Sequence, residues 1–462
     1  MSVAAYPRIV RMFPLVMVGY LLAVVALEAS GRVGLNEAAT LLVLPALAWA
    51  AVRAPAVLLV GFVAIPPGVL TSLPRVSVGP LTLLMAATLA AFLVLRGVVT
   101  RGLVQTAIPI GVLVVGAFTM FNAIRPGPQS AATEFRRVML FYLVLLVLSY
   151  ALGRAGAIKL AHVGTAILVS AGISGIIFLS QLGFQPWNFS VSDPSLEPGG
   201  LFFRTHFGYM MALGFAVALS RTMSRAPGKI RTSDLVVLGY FSLLVTFSFT
   251  RGAWLVALVL ITIAPLRTGR TGLWLLLPVL ALVATGIPLI QERLFSDLSG
   301  GLQRSLESGD FATGRWGLWR EMADRAIAGF PWGNGYGYVW NLRPEALFAR
   351  GASFTTESNP FVYVHNDFLY WMVELGVIGL AAMVALWAQV LSALQRIRYA
   401  ATRIHGETAF VGGIVLTMFV ASMVDNGLFI RPVAERFFIC VGIAMALAHR
   451  TQEAAPDEKS VA

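Results

Sequence analysis

The chain has 462 residues, of which 58% are hydrophobic and only 12% are charged, and its formal net charge is +12. Soluble domains carry about 25% charged residues, so this composition excludes an ordinary soluble protein and indicates an integral membrane protein. The positive charge does not indicate nucleic-acid binding, because the basic residues are spread over many short segments and form no single patch.

Apolar blocks of about 17–25 residues, the length that crosses a hydrocarbon core, recur along the whole chain. They predict an all-α polytopic membrane protein with about 14 transmembrane helices, and about 12–14 are compatible with the pattern. The predicted spans are 11–28, 36–52, 55–71, 79–97, 103–122, 135–152, 158–181, 202–220, 233–249, 252–267, 271–290, 366–394, 408–426 and 433–449.

The connections between these blocks alternate between segments rich in Lys and Arg and segments with little net charge. Because Lys and Arg concentrate in short cytoplasmic loops, the alternation predicts that the N-terminus and the C-terminus both face the cytoplasm. The first block is long and is not followed by a small-residue cleavage site, so we expect it to remain as a span.

Two external connections are longer than the others, at 182–201 and 291–361, and the second is rich in aromatic residues. The sequence thus predicts five regions. These are N-terminal transmembrane helices at 1–200, transmembrane helices carrying the Arg251 hairpin at 201–290, a large periplasmic loop at 291–364, C-terminal transmembrane helices at 365–450, and a disordered cytoplasmic tail at 451–462.

An amphipathic helix is predicted over 313–328, within the large loop, and we expect it to lie on the membrane surface or to cap the bundle. The stretch PWGNGYGY at 331–338 combines three glycines with aromatics, which indicates backbone held close to a ligand or to another helix. The residues expected on the apolar face of the helix are Trp316, Trp319, Ala323, Ala326 and Ile327, opposite Arg320, Glu321 and Asp324.

His365 stands where the large loop enters the next span. An ionisable side chain at membrane depth costs about 2.5–3.5 kcal/mol on insertion scales, so such residues are candidates for function. A neutral imidazole accepts a proton near pH 7, which suits a general base. The alternative is an interfacial histidine that only anchors the end of the helix. Asn366 and Asp367 make this entrance unusually polar.

Glu374 lies nine residues beyond His365, on the same predicted helical face as Asp367 and Trp371. A functional role and a packing role, in which the carboxylate bonds a neighbouring span, both fit this position. Gly376, which follows, would permit the close approach of another helix.

Arginines gather at the external ends of the predicted spans. Arg251 lies in a hairpin within FSFTRGAWLV, Arg204 and His206 begin a span at FFRTHFGYMM, and Arg315 and Arg320 lie on the amphipathic helix. The planar arginine fork binds phosphate oxygens in bidentate fashion, so these residues are candidates for anion binding. A snorkelling or solvated surface role is the alternative for each.

Several chemistries find no support in the sequence. The chain has no Walker loop, no GxSxG elbow and no acidic cluster on the predicted external side, and its single cysteine, Cys440, excludes a disulfide. We therefore expect an external reaction that uses no cofactor, no metal and no ATP. An activated lipid-linked donor fits these limits.

Four segments together resemble the O-antigen ligase and O-antigen polymerase superfamily of bacterial membrane glycosyltransferases. In chain order they are TRGAW at 250–254, GRW with WREMA at 314–323, PWGNGYG at 331–337 and HNDFLYWMVELGVIG at 365–379. The last is the most specific, because it pairs His-Asn with a Glu-x-Gly. The resemblance covers about 200–435, and the earlier spans match only in hydrophobic pattern.

The resemblance implies a multi-pass protein of the bacterial inner (cytoplasmic) membrane that works at the periplasmic face. Such proteins transfer a glycan from undecaprenyl diphosphate to an acceptor sugar. The resemblance also implies that Arg251 and Arg315 hold the donor diphosphate and that His365 activates the acceptor hydroxyl. The further residues expected to bind the donor diphosphate or glycan are Arg204, His206, Arg320, Asn366 and Glu374.

We expect an inverting single displacement with His365 as base. The expected partners are an undecaprenyl-diphosphate-linked glycan, a glycan or lipid A–core acceptor, and membrane lipid.

A polysaccharide repeat-unit polymerase and a protein O-oligosaccharyltransferase are alternatives in the same superfamily. A lipid-linked saccharide transporter or flippase is the alternative from another class, although the two related halves common in transporters are not visible. A structural scaffold for envelope assembly would leave Glu374 and Arg251 without a purpose.

Overall fold

The structure is a computed structural model that describes part of the chain. The described residues form α-helices, one 3-10 turn and connecting turns, with no strand among them, so the all-α prediction is confirmed for this part. They are residues 54–66, 85–86, 110–111, 129–184, 204–225, 229–268, 315–335, 337–339, 342, 364–400 and 405–454.

The described helices follow the predicted spans closely, and one of them, α7, is the predicted amphipathic helix. In chain order they are α1 Pro55–Ala64, α2 Gln129–Arg154, α3 Leu160–Gln181, α4 Arg204–Ser224, α5 Thr232–Phe247, α6 Arg251–Thr268, α7 Arg315–Ala328, α8 Asp367–Ala400, α9 His405–Val424 and α10 Arg431–Ala454, with a 3-10 turn at Gly427–Phe429. The predicted spans at 11–28, 36–52, 79–97, 103–122 and 271–290 lie outside the described residues, apart from short pieces of two of them.

Among the described helices, three are long and apolar enough to cross a membrane: Leu160–Gln181, Asp367–Ile397 and Arg431–Arg450. Five further apolar stretches of 10–17 residues accompany them. These are the helices of a multi-pass membrane protein, and the total of about 14 spans stays a prediction.

Close packing between helices depends on small residues and on one buried arginine. The backbone of Gly442 in α10 lies against Ser149 in α2, and a side chain at Gly153 would meet Ala446 at 2.8 Å. The guanidinium of Arg436 is buried and donates to the Val63 carbonyl at the end of α1 at 2.9 Å. Small residues let helix backbones approach within a membrane, and a buried charge persists there only with such partners.

The helix α8 is broken at Gly376, where φ is 63° and ψ is −143°. The break lets the loop after α7 reach the backbone of α8, and the Val377 amide donates to the Pro331 carbonyl at 2.9 Å. A side chain at Gly376 would collide with that carbonyl and would lie 2.6 Å from the Gly333 amide nitrogen. The predicted span over 366–394 therefore contains a break in its backbone at Gly376. The neighbour that requires the glycine is a loop rather than a helix.

We expect Gly376→Ala to lower the stability of the folded protein. The positive φ costs about 1–3 kcal/mol for a residue with a side chain, and the new methyl group would also push the loop away. Thermal unfolding in detergent measures the effect. The matched control is Gly412→Ala in α9, where no heavy atom lies within 4 Å of an added methyl group. Equal unfolding temperatures for both variants would contradict the packing described here.

Candidate functional site

Predicted site residues from three chain segments meet at one end of the described helix bundle. The segments are the start of α4, the hairpin between α5 and α6, and the turn before α8. A fourth segment, the turn after α9, holds them together through Asp425, which the sequence analysis did not select.

His365 is paired with Asp425. The imidazole Nδ1 lies 3.3 Å from a carboxylate oxygen of Asp425, and the His365 side chain is 29% exposed while that of Asp425 is 7% exposed. A proton on Nδ1 would point at the carboxylate, and in that tautomer Nε2 is the ring nitrogen that accepts a proton. A base held by a second group is the arrangement that activates a hydroxyl in many transferases and hydrolases.

The backbone of His365 adopts a conformation that is uncommon for residues with a side chain, with φ at 55°. Such positions persist only where the surroundings hold them. Here the Asn366 amide nitrogen donates to the Asn426 side-chain oxygen at 3.1 Å, and the Asn366 side chain donates to the Met423 carbonyl at 3.1 Å. The turn before α8 is therefore fastened to the turn after α9 on both sides of the His365–Asp425 pair.

Asp367 adds a further connection between the same two turns. Its carboxylate is fully buried and accepts the Leu428 amide at 2.9 Å, which fixes the 3-10 turn after α9. Asp367 contacts protein backbone in this position, and it supports the turn that carries Asp425.

Tyr209 links the pair to α4. Its hydroxyl donates to the other carboxylate oxygen of Asp425 at 2.8 Å, and the side chain is fully buried. The backbone of Gly252 lies against the Tyr209 ring, so closely that a side chain there would collide with the hydroxyl. Arg251 directly precedes Gly252, which places this arginine at the edge of the His365 cluster. His206 lies one turn before Tyr209, within electrostatic range of Asp425.

The hairpin that carries Arg251 folds back onto the start of α4. The Thr250 hydroxyl donates to the Arg204 carbonyl at 3.1 Å, and the backbone of Gly208 is packed against Thr250. The indole of Trp254 donates to the Val245 carbonyl at 2.9 Å and closes the end of α5. The motif TRGAW therefore brings the backbones of Arg204 and Arg251 to the same place.

The helix α7 contacts the chain immediately before His365. The Trp319 indole donates to the Val364 carbonyl at 2.8 Å, while Leu318, Met322 and Ala326 are buried. Arg315 lies one turn before Trp319 at the start of α7, and its side chain lies outside the described residues.

Arg320, Ala326 and Ile327 can be compared with the amphipathic pattern predicted for α7. Arg320 is exposed, as expected for the polar face. Ile327, which was predicted on the apolar face, is 67% exposed, whereas Ala326 on the same predicted face is 1% exposed. Protein therefore covers only part of the predicted apolar face, and the expected place of α7 on the membrane surface or as a cap of the bundle stays a prediction.

Glu374 holds the loop that follows α7. Its carboxylate is fully buried and accepts the amides of Gly337 and of Val339, the latter at 2.8 Å. Its backbone carbonyl accepts the Gly335 amide at 3.0 Å. Glu374 thus has a packing role in the structure, but its partners are loop amides rather than the neighbouring span that the sequence suggested. The glycines of PWGNGYG allow this close approach to α8.

The same loop is tied to α7 through Arg325. The guanidinium contacts Glu321 at 2.8 Å and the Tyr338 hydroxyl at 2.6 Å. Burial lowers the pKa of Arg325, but the hydrogen bonds to Tyr338 and Glu321 outweigh burial and leave the pKa above its ordinary value. The helix α7, its loop and the first half of α8 consequently form one connected unit.

Asp425 and Tyr209 were both missed by sequence reasoning. Asp425 sits at the end of the predicted span 408–426, and the rule that selected Glu374, an ionisable group at membrane depth, applies to it equally. Tyr209 offers no such signal, because a tyrosine within an apolar span is usually a packing residue. Within the described residues, no three His, Cys, Asp or Glu side chains are grouped so as to hold a metal ion.

Comparison with known proteins bears on the middle of the chain. The sequence model of the O-Antigen ligase family matches residues 236–384. This range contains Arg251, Arg315, Glu374 and His365, while Asp425 lies beyond it. The match confirms the resemblance seen in the sequence motifs. No curated protein matches the chain.

We expect Glu374→Ala to loosen the loop at 331–339. The substitution leaves two buried amide groups without an acceptor, at a cost of about 1–3 kcal/mol for each. Hydrogen exchange of peptides from the loop should become faster, which mass spectrometry detects. Glu374→Gln, which keeps one acceptor oxygen, should give exchange rates between those of the parent protein and of Glu374→Ala. Asp324→Ala, which removes an exposed carboxylate on α7, provides the control. Unchanged exchange in Glu374→Ala would exclude the anchoring role.

Proposed function

We propose that this chain, which the match over residues 236–384 assigns to the O-antigen ligase and polymerase superfamily, is a membrane glycosyltransferase of the O-antigen ligase type. It would transfer a glycan from undecaprenyl diphosphate to an acceptor sugar at the periplasmic face. The observation that carries the proposal is the His365–Asp425 pair beside the Arg251 hairpin, at one end of an apolar helix bundle.

His365 is the proposed base. Its Nε2 removes the proton of the acceptor hydroxyl while the hydroxyl oxygen attacks the anomeric carbon of the donor glycan. The new bond forms from the face opposite the leaving group, so the anomeric configuration is inverted. Asp425 is a positioning residue that fixes the orientation of the ring and stabilises the imidazolium that forms.

The lipid diphosphate leaves with the bonding electron pair of the anomeric carbon–oxygen bond. Negative charge therefore grows on the diphosphate during the reaction. Arg251 and Arg315 are proposed to bind it, because the guanidinium fork suits phosphate oxygens and such electrostatic stabilisation is often the largest catalytic contribution. Arg204, His206, Arg320 and Asn366 are proposed to contact the donor nearby, while Glu374 supports α7 through its loop.

The acceptor defines which member of the superfamily this is. Transfer to lipid A–core makes it a ligase, transfer to a second lipid-linked repeat unit makes it a polymerase, and transfer to a protein side chain makes it an O-oligosaccharyltransferase. All three use the same base and the same leaving group. We propose the ligase-like reaction with a sugar acceptor.

Purified protein in vesicles tests this proposal directly. The assay supplies an undecaprenyl diphosphate glycan with each acceptor class in turn, without nucleotide, and measures glycan transfer and release of the lipid diphosphate. Transfer with release supports the enzyme, and the acceptor that works identifies the class. Movement of the intact lipid across the vesicle, without transfer, would instead establish a flippase.

His365→Ala should abolish transfer in this assay, because a positioned base contributes about a hundredfold to ten-thousandfold to the rate. Asp425→Asn should lower kcat by a smaller factor and leave the donor KM near its parent value, since Asn no longer selects the tautomer. His162→Ala on the exposed side of α3 is the matched control and should be fully active. A folded His365→Ala protein with parental activity would remove the base assignment.

Arg251→Lys and Arg315→Lys should each slow transfer about tenfold or more, because an ammonium does not replace a bidentate fork. The donor KM should rise together with the loss in kcat. Arg225→Lys, at the other end of α4 beside Asp234, serves as the control. Parental kinetics in both variants would show that neither arginine binds the diphosphate.

A further inference from the structure

The end of α7 and the turn after it expose three large apolar side chains within six residues. Ile327 is 67% exposed, Phe330 63% and Trp332 65%. Single exposed apolar residues are ordinary, but a contiguous group marks a contact surface. We call residues 327–332 the apolar tip.

The apolar tip adjoins a helix face of the kind that contacts lipid. The hydrogen bond from Val377 to the Pro331 carbonyl fastens the tip to the second half of α8. From this point along α8, the exposed residues Val377, Val384 and Leu391 recur every seven residues, at 42%, 53% and 48% exposure. This spacing places them on one face of a helix that is long and apolar enough to cross a membrane.

Polarity changes along the exposed side of α7. Arg320 and Asp324 are exposed on the side that continues into Ile327. Three solvent-exposed apolar side chains do not stabilise a helix end that lies wholly in water. If the helix end reaches lipid, each of these side chains is removed from water, which is favourable. Tryptophan in particular is enriched at the boundary between membrane and water.

We propose that the apolar tip inserts into the lipid layer beside α8, with membrane acyl chains as its occupant. The tip then fixes the depth of α7, because the hydrogen bonds through Pro331, Gly335 and Glu374 join the tip and its loop to α8 on both sides of the break at Gly376. Arg315 and the chain before His365 are thereby held at a set height relative to the lipid head groups. This membrane contact stands apart from the transfer reaction and is tested without measuring activity.

Site-directed spin labelling in phosphatidylethanolamine–phosphatidylglycerol vesicles tests the proposal. Labels are attached singly at Ile327→Cys, Phe330→Cys and Trp332→Cys in a Cys440→Ala background. Label accessibility to oxygen, which concentrates in lipid, is compared with accessibility to a water-soluble nickel chelate. Arg320→Cys and Asp324→Cys are water references on the same helix, and Val384→Cys is the lipid reference.

The three tip labels should show a ratio of oxygen to nickel accessibility close to that of Val384→Cys and several-fold above that of Arg320→Cys. Ratios equal to the water references would overturn the proposal. Labels shielded from both reagents would also overturn it, because they would show that protein, such as a second copy of the chain, covers the tip. The labelled side chains are largely exposed, so substitution leaves the core unchanged.

Discussion

The arrangement of the candidate site depends on the contacts of one buried carboxylate, that of Asp425. One oxygen faces the imidazole of His365 and the other accepts the Tyr209 hydroxyl. A buried carboxylate in a low-dielectric interior is tolerated only when its oxygens are paired or hydrogen-bonded. The carboxylate therefore requires Tyr209 from α4 and His365 from the turn before α8 as its partners. Because Tyr209 also rests on Gly252, the same carboxylate fixes the hairpin that carries Arg251. Three segments distant in sequence are thus held by one anion.

A second buried carboxylate, that of Glu374, organises the other side of the site. It satisfies backbone amides of a glycine-rich loop that would otherwise be costly to bury. The break at Gly376 creates the space in which that loop fits against α8. The two carboxylates therefore have separate roles: Asp425 orients the imidazole of His365, and Glu374 holds the loop that follows α7.

Hydrophobic blocks and the 3.6-residue period were sufficient to predict the described helices, because the length of an apolar stretch reports directly on a membrane span. These patterns did not predict the break in α8. A glycine at position 376 is compatible with a continuous helix, and only the contact with the loop at Pro331 explains the break. His365 and Arg251 were selected because a polar group among apolar ones is conspicuous. Tyr209 was not selected, because its contact with Asp425 joins residues more than 200 positions apart in sequence.

Ile327 shows a different limit of sequence patterns. Apolar residues at helical spacing predict a face turned away from water, but they do not say whether protein or lipid covers that face. On α7, Ala326 is buried against protein while Ile327 is exposed, and lipid is the proposed cover for Ile327. The proposed reaction joins a lipid-linked diphosphate to a sugar in water, so it would take place where lipid and water meet. With the apolar tip in lipid, as proposed, the helix that carries Arg315 would be held at the height of such a donor.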